Sequence, residues 1–252
     1  MRSRVSRIVS LVGVPALVAG LIGVSGIPAA AETTAVSVPI VTEIQADNTG
    51  YDNFEYIEVT NPTDTAIDFA ESGYSLSYRN GSTSTELTTA MMDGSEGTPD
   101  LVLQPGQVVV LWLSYTSGNV DSWAQTEDAF REAVGLTDTT VSVVRIEGQA
   151  GIKNTGDRGI DIVQNGEVVS ESYLPEMEEA PGTSTHFALP IDATTKQLQV
   201  WQQSVAGTPG AVDEAQLADD SSEGDTGEGG DGGATGEDDS DTGKGGDTPT
   251  DT

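Results

Sequence analysis

Through the middle of the chain apolar and polar residues alternate in short runs, and Gly, Pro, Asn and Asp break the runs at regular intervals. A period of two predicts half-buried strands. Residues 38–46 read as a first strand, with Pro39 near its start, where a missing N–H is tolerated. Residues 47–53 form a loop into the run Phe54-Glu55-Tyr56-Ile57-Glu58-Val59-Thr60, which Asn61-Pro62 ends. Ile57 and Val59 share one face of this strand, and Phe54 and Tyr56 the other, which suits an inner strand covered on both sides. Its two glutamates are out of keeping with such a position. Further strands follow at 66–69, at 74–78 into Asn80-Gly81, at 86–88, and at 101–103 into Pro105-Gly106. Residues 108–113 are continuously apolar and predict a strand buried on both faces. Strands at 141–146, 159–164, 167–173, 186–189 and 197–201 complete the set, with Asn165-Gly166 as a second hairpin signal.

One segment breaks this rhythm. Residues 126–135 read as a helix, with Thr126 as its cap, acids in its first turn and Gly135 where it stops. Phe130, Ala133 and Val134 fall on one face, so the helix is expected to lie across the sheets. Many short strands with one helix predict an all-β fold, a β-sandwich with one short helical insertion.

The two ends have a different character. Residues 1–31 carry Arg2, Arg4 and Arg7, then a long apolar run, then Ala29-Ala30-Ala31, the layout of a cleaved secretory signal peptide. The alternative is an uncleaved segment holding the chain to a membrane. Residues 218–252 are Asp, Glu, Gly, Ser and Thr without a large apolar side chain. Such a tail cannot bury enough surface to offset its ordering entropy and is expected to be disordered. Residues 32–217 remain as one domain, and the protein is expected to be secreted or at the cell surface.

The net charge is −31, and the twelve acids and one lysine of the tail leave most of it on residues 32–217. Such a surface repels phosphate backbones, which disfavours nucleic-acid binding. It is compatible with calcium, with basic partners, with a salty habitat, or simply with solubility outside the cell. The chain has no cysteine, so thiolate chemistry and disulfides are excluded.

Catalytic constellations are hard to assemble from what is left. His186 is the only histidine, and Ser184-Thr185-His186-Phe187 contains no nucleophile elbow. It is read as a strand histidine at the sheet surface. Asp47, Asp52, Glu55 and Glu58 are hard oxygen donors close in sequence and are the candidate calcium ligands. The spacing is not that of an EF-hand, and Glu55 and Glu58 fall on opposite strand faces. The competing reading has Glu58 accepting hydrogen bonds from loop backbone. Arg145, Lys153 and Arg158 cluster in sequence and are expected to pair with local carboxylates such as Asp157 and Asp161, an anion site being the alternative. Trp112, Trp123 and Trp201 could supply a carbohydrate platform if exposed; Trp112 is read as core, and Trp123, bordering the helical insert, as the most exposed.

Several motifs, taken in order, resemble a known family. Glu55-Tyr56-Ile57-Glu58-Val59-Thr60-Asn61-Pro62 resembles the E-W-I-E-L-x-N-P signature of the lamin-tail domain. Leu103-Gln104-Pro105-Gly106 resembles its L-x-P-G turn, Asn154 to Ile162 its N-x-G-D strand start, and Gly207-Thr208-Pro209-Gly210 its closing T-P-G. The insert around Phe130 resembles a bacterial exported subgroup. The resemblance covers about residues 38–211 and implies an immunoglobulin-like β-sandwich acting as an accessory binding module, with no catalysis and no obligatory cofactor. Its partner would be an envelope or extracellular ligand. Bacterial modules of this kind are often joined to exported nucleases or phosphoesterases. The alternative is therefore an accessory part of such a system, with a partner hydrolase carrying the catalytic domain. A third reading is a spacer whose tail projects the domain from the cell.

Overall fold

The computed structural model describes residues 37–177, 180–190 and 194–218. The expected signal peptide and almost all of the expected acidic tail lie outside these residues. Among the described residues no helix is long and apolar enough to cross a membrane.

In chain order the strands are β1 (Ile40–Gln45), β2 (Tyr56–Thr60), β3 (Ile67–Asp68), β4 (Tyr74–Asn80), β5 (Thr83–Ala90), β6 (Val102–Leu103), β7 (Val108–Leu113), β8 (Thr116–Ser117), β9 (Val120–Asp121), β10 (Ser142–Glu147), β11 (Arg158–Gln164), β12 (Glu167–Leu174), β13 (Thr183–Ala188) and β14 (Gln199–Ala206). The helices are α1 (Glu127–Val134) and the single turn α2 (Glu214–Leu217). Ten strands form one hydrogen-bonded sheet in the order β12-β11-β4-β5-β10-β7-β2-β1-β13-β14. It becomes a sandwich at β5, whose first half pairs with β4 and whose last residues, Thr88–Ala90, pair with β10. On the far side the Glu171 N–H donates to the Lys196 carbonyl and the Leu198 N–H to the Glu171 carbonyl, drawing the layers together. The fold is the all-β, immunoglobulin-like sandwich that the sequence predicts.

The main core lies between the layers. Leu76, Tyr78, Leu87, Ile160 and Ile162 face Ile40, Ile44, Ile57, Val59, Leu111 and Phe187. A second core covers the outer face of the larger layer, where Tyr56, Val110 and Trp112 meet Phe130 and Val134 of α1. Trp112 and Phe130 stack at 4.6 Å, and Tyr56 meets the edge of Phe130 at 6.3 Å. β2 is therefore covered on both faces, and its even and odd residues enter different cores. Thr126 caps α1 by accepting from the Ala129 N–H at 3.1 Å, and Gly135 ends it in the left-handed region at φ 74°. Ala133, expected on the buried face, is exposed, because α1 packs through Phe130 and Val134 alone. The α1 crossover makes β7 and β10 a parallel pair, a feature that strand periodicity does not disclose.

Candidate functional site

The polar residues of the β2 segment each fasten a different loop. Glu55 is completely buried, and its carboxylate accepts the Ile152 N–H at 2.8 Å and the Tyr115 hydroxyl at 2.8 Å. Asn61, also completely buried, donates through Nδ2 to the carbonyls of Thr65 and Leu103, and its Oδ1 accepts the Thr63 N–H at 3.0 Å. Its main chain exchanges bonds with Gln107 and Gly106, which fixes the Pro-Gly turn. Glu58 reaches the closing turn, its Oε2 accepting the Gly210 N–H at 2.6 Å. These side chains are buried because loop N–H and carbonyl groups under the sandwich rims lack water and need a partner.

A second carboxylate, unremarked in the sequence, completes this arrangement. The β1–β2 ladder slips between Val41 and Glu43, and this bulge sets both Thr42 and Glu43 beside Glu58. The Thr42 hydroxyl lies 2.6 Å from Glu58 Oε1 and 3.0 Å from the Thr60 hydroxyl. Glu43 accepts from the Tyr56 hydroxyl, from the Ser184 hydroxyl at 2.6 Å and from the Thr208 N–H at 3.2 Å. His186 Nε2 stands 3.5 Å from the same carboxylate. A Cβ on Gly207 would fall 2.6 Å from the Tyr56 hydroxyl and 2.9 Å from Glu43, so the closing turn can approach this closely only through glycine. Across β2, β1, β13 and β14 the register aligns Glu58, Glu43, His186 and Gln202 in one polar row that runs to the sheet edge, with the apolar Val110 of β7 at its inner end.

The two carboxyls divide one charge. Burial acts to raise Glu43, but hydrogen bonds from His186, Ser184 and Tyr56 outweigh it and hold the group below its usual value. Glu58 is pushed up to about 8, first by burial and then by the charge of Glu43. With fewer donors, Glu58 is the partner that keeps the proton. Burial also pushes Glu55 well above the carboxylate range, and the charges of Asp52 and Asp47 add to it.

Of the four candidate calcium ligands, Asp47, Asp52 and Glu55 lie on the loop side of β2, while Glu58 faces Glu43 on the other side. Asp52 accepts the Asn48 N–H at 3.1 Å. The structure does not bring the four together, and among the described residues no three acidic or histidine side chains form a group that could hold a metal ion. Glu55 serves its loop instead. Glu55→Ala is expected to raise the hydrogen-exchange rate of the Ile152 amide by about 10–100-fold, with Glu55→Gln much milder. Unchanged protection in the alanine variant would show that another group holds the loop.

The basic cluster also departs from expectation. Arg145 gives its guanidinium to the carbonyls of Met92, Ser122 and Gln125 and to the Ser114 hydroxyl, and lies 3.7 Å over the Trp112 ring. Arg158 serves the carbonyls of Lys153, Asn154, Gly156 and Pro175. Asp161 has Arg79 at 3.7 Å instead. Buried loop carbonyls take guanidinium hydrogen bonds from both arginines.

His186 is buried, not at the sheet surface. Its Nε2 lies 3.3 Å from the Ser184 hydroxyl, which resembles part of a nucleophilic triad. The geometry is not a relay, because Ser184 donates directly to Glu43 and the same ring nitrogen faces both groups. Trp112 is core, as read from the sequence, and Trp123 is half-buried beside Gly94 and Arg145. Trp201, the third tryptophan considered for a carbohydrate platform, is half-buried at the end of the polar row. There Trp201, Gln202, Thr208 and Asp213 line a cleft of about 390 Å³ with His186 at its floor.

Among known proteins, a family model described as Lamin Tail Domain matches residues 32–172. No curated protein matches the chain. The match ends in β12, yet the structure carries the pattern further, since Gly207 to Gly210 close onto Glu43 and Glu58 of the matched strands. With the signature residues of β2, the Pro-Gly turn and the sandwich itself all in place, and with the model covering more than half of the sequence, the chain belongs to the lamin tail domain family.

Proposed function

We propose that this protein is an exported accessory module that binds a cell-envelope or extracellular ligand and does no chemistry of its own. One observation carries the reading. Among the described residues, the buried carboxyls Glu55, Glu58 and Glu43 and the buried Arg145 and Arg158 are engaged in holding the fold: Glu55, Glu58, Arg145 and Arg158 on loop backbone, and Glu43 on three side chains and a turn. What remains available is surface. The residues ahead of the sandwich support export, and the acidic surface directs binding away from nucleic acid.

The test is co-sedimentation of the exported chain with cell-wall sacculi, membrane vesicles and duplex DNA, at low and high salt, with and without calcium. Retention on one envelope fraction and not on DNA is the expected result. Phosphodiesterase turnover that persists through purification, with no retention, would overturn it in favour of a hydrolase system.

A further inference from the structure

The edge strand β14 carries no charged residue, and from Gln197 to Val212 the chain has none at all. Within this neutral stretch the strand is bulged twice. Its register against β13 slips between Ser184 and His186 and again between His186 and Phe187, and Ser204 is forced to φ 53°. Successive residues of a regular strand point to opposite faces. The slip at Trp201 instead lets Trp201 and Gln202 line the same cleft. Bulges that re-aim side chains recur beside binding sites, and this one sets an aromatic ring and a carboxamide side by side.

The facing wall is held rigidly. The Thr208 N–H is tied to Glu43 and the Gly210 N–H to Glu58. Gln216 of α2 is buried, donates to the carbonyls of Thr42 and Phe187, and accepts the Asp213 N–H at 3.0 Å. Asp213 caps α2 with Oδ1, accepting the Ala215 N–H at 2.9 Å, and is itself exposed. The cleft thus offers a half-buried indole, a carboxamide, the Thr208 hydroxyl and one carboxylate, with no lysine or arginine among its lining. An anionic ligand finds no lysine or arginine there and meets the Asp213 carboxylate, and a purely apolar one would strand the polar groups. A ligand with an apolar ring face and a rim of hydroxyls meets all of them.

We propose that this cleft binds a neutral saccharide unit, with Trp201 stacked on the sugar's C–H face and Gln202 and Asp213 hydrogen-bonded to its hydroxyls. The inference rests on the binding-module reading and names its ligand class. Trp123, shared between Gly94 and Arg145, is not part of this site.

Soluble cello-, malto- and chito-oligosaccharides titrated into the full exported chain, followed by tryptophan fluorescence and calorimetry, test it. At least one series is expected to saturate with a micromolar to millimolar Kd that is insensitive to salt. Trp201→Ala should weaken it by at least about 10-fold and Gln202→Ala by about 3–10-fold, with Trp201→Phe between wild type and Trp201→Ala, while Trp123→Ala leaves it unchanged. Should Trp201→Ala fail to fold, Gln202→Ala and Trp201→Phe still decide the matter. No saturation with any series, or saturation undiminished in the Trp201 and Gln202 variants, overturns the proposal. If the wild type is retained on sacculi and Trp201→Phe and Gln202→Ala are retained equally, the binding-module reading stands and the cleft falls. If neither sacculi nor sugars bind, both fall.

Discussion

Unfolding free energy is expected to fall as pH rises from about 4.5 to 8, and Glu58→Gln should remove Glu58's share of that fall. In the folded protein Glu58 holds its proton up to about 8, against a usual value of 4.5. Between those values the native state binds more protons than the unfolded state, so stability decreases with rising pH. A displacement of that size is worth about 5 kcal/mol at most. The neutral carboxyl can donate to Thr42 and accept from Gly210, and a carboxamide can do both. Glu58→Gln should therefore match the wild type near pH 4.5 and exceed it by several kcal/mol, on the order of 3–5, above pH 8. Glu55 and Asp161, the latter raised to about 6 by burial, keep their own contributions to the slope in both proteins. Glu43 works in the opposite sense: its value is lowered, so its stabilisation is present above about 4.5 and is lost as pH falls further. Denaturant unfolding across this range would decide it, and parallel curves for the two proteins would show that Glu58 is ionised in the fold.

Arg145→Ala is expected to lower the unfolding free energy by about 3–5 kcal/mol and to loosen the segment between β7 and α1. The side chain is buried, and its removal strands three carbonyls and the Ser114 hydroxyl as well as one face of Trp112. Two of those carbonyls belong to Ser122 and Gln125, so the Trp123 side of the insertion loses its anchor first. Arg145→Lys should recover less than half of the loss, because one ammonium cannot reproduce a planar fork serving four acceptors. Chemical denaturation gives the total, and hydrogen exchange over residues 115–126 gives the local part. A loss under about 1 kcal/mol in the alanine variant would mean that water replaces the guanidinium.

Much of the fold was legible because it is local. The split of β2 into Ile57 and Val59 against Phe54 and Tyr56 follows from strand periodicity, and each pair lies in its own core. The caps of α1 and the Asn165-Gly166 turn are likewise written in adjacent residues; Asn165 and Gly166 both have positive φ. The polar row was not legible. Glu43 reads as an outward residue of an alternating strand, and its donors Ser184 and Thr208 come from 141 and 165 positions away. The faint signal was chemical: Thr42-Glu43 interrupts the apolar run Ile40, Val41 and Ile44, and Ser184-Thr185-His186 leads into Phe187 and Ala188. Trp201 was named as a platform candidate but ranked behind Trp123 for a related reason, since a bulge shifts side-chain direction without altering the sequence period. The carbonyl partners of the arginines were not legible either, because spacing brings Asp157 near Arg158 but says nothing of backbone groups buried around a guanidinium.

The closing turn also constrains the order in which the molecule can be made. Glu58 waits for a donor 152 residues further along, and Glu43 for one 165 residues away, so β1 and β2 emerge early from synthesis with two carboxylates that cannot yet be satisfied inside a core. Loop closure over such separations is slow, and contacts of this range dominate sandwich folding rates. The sandwich therefore gains its last fastening only after residue 210 has been added, and nascent chains halted between β13 and Gly207 should remain open to protease while longer ones resist it.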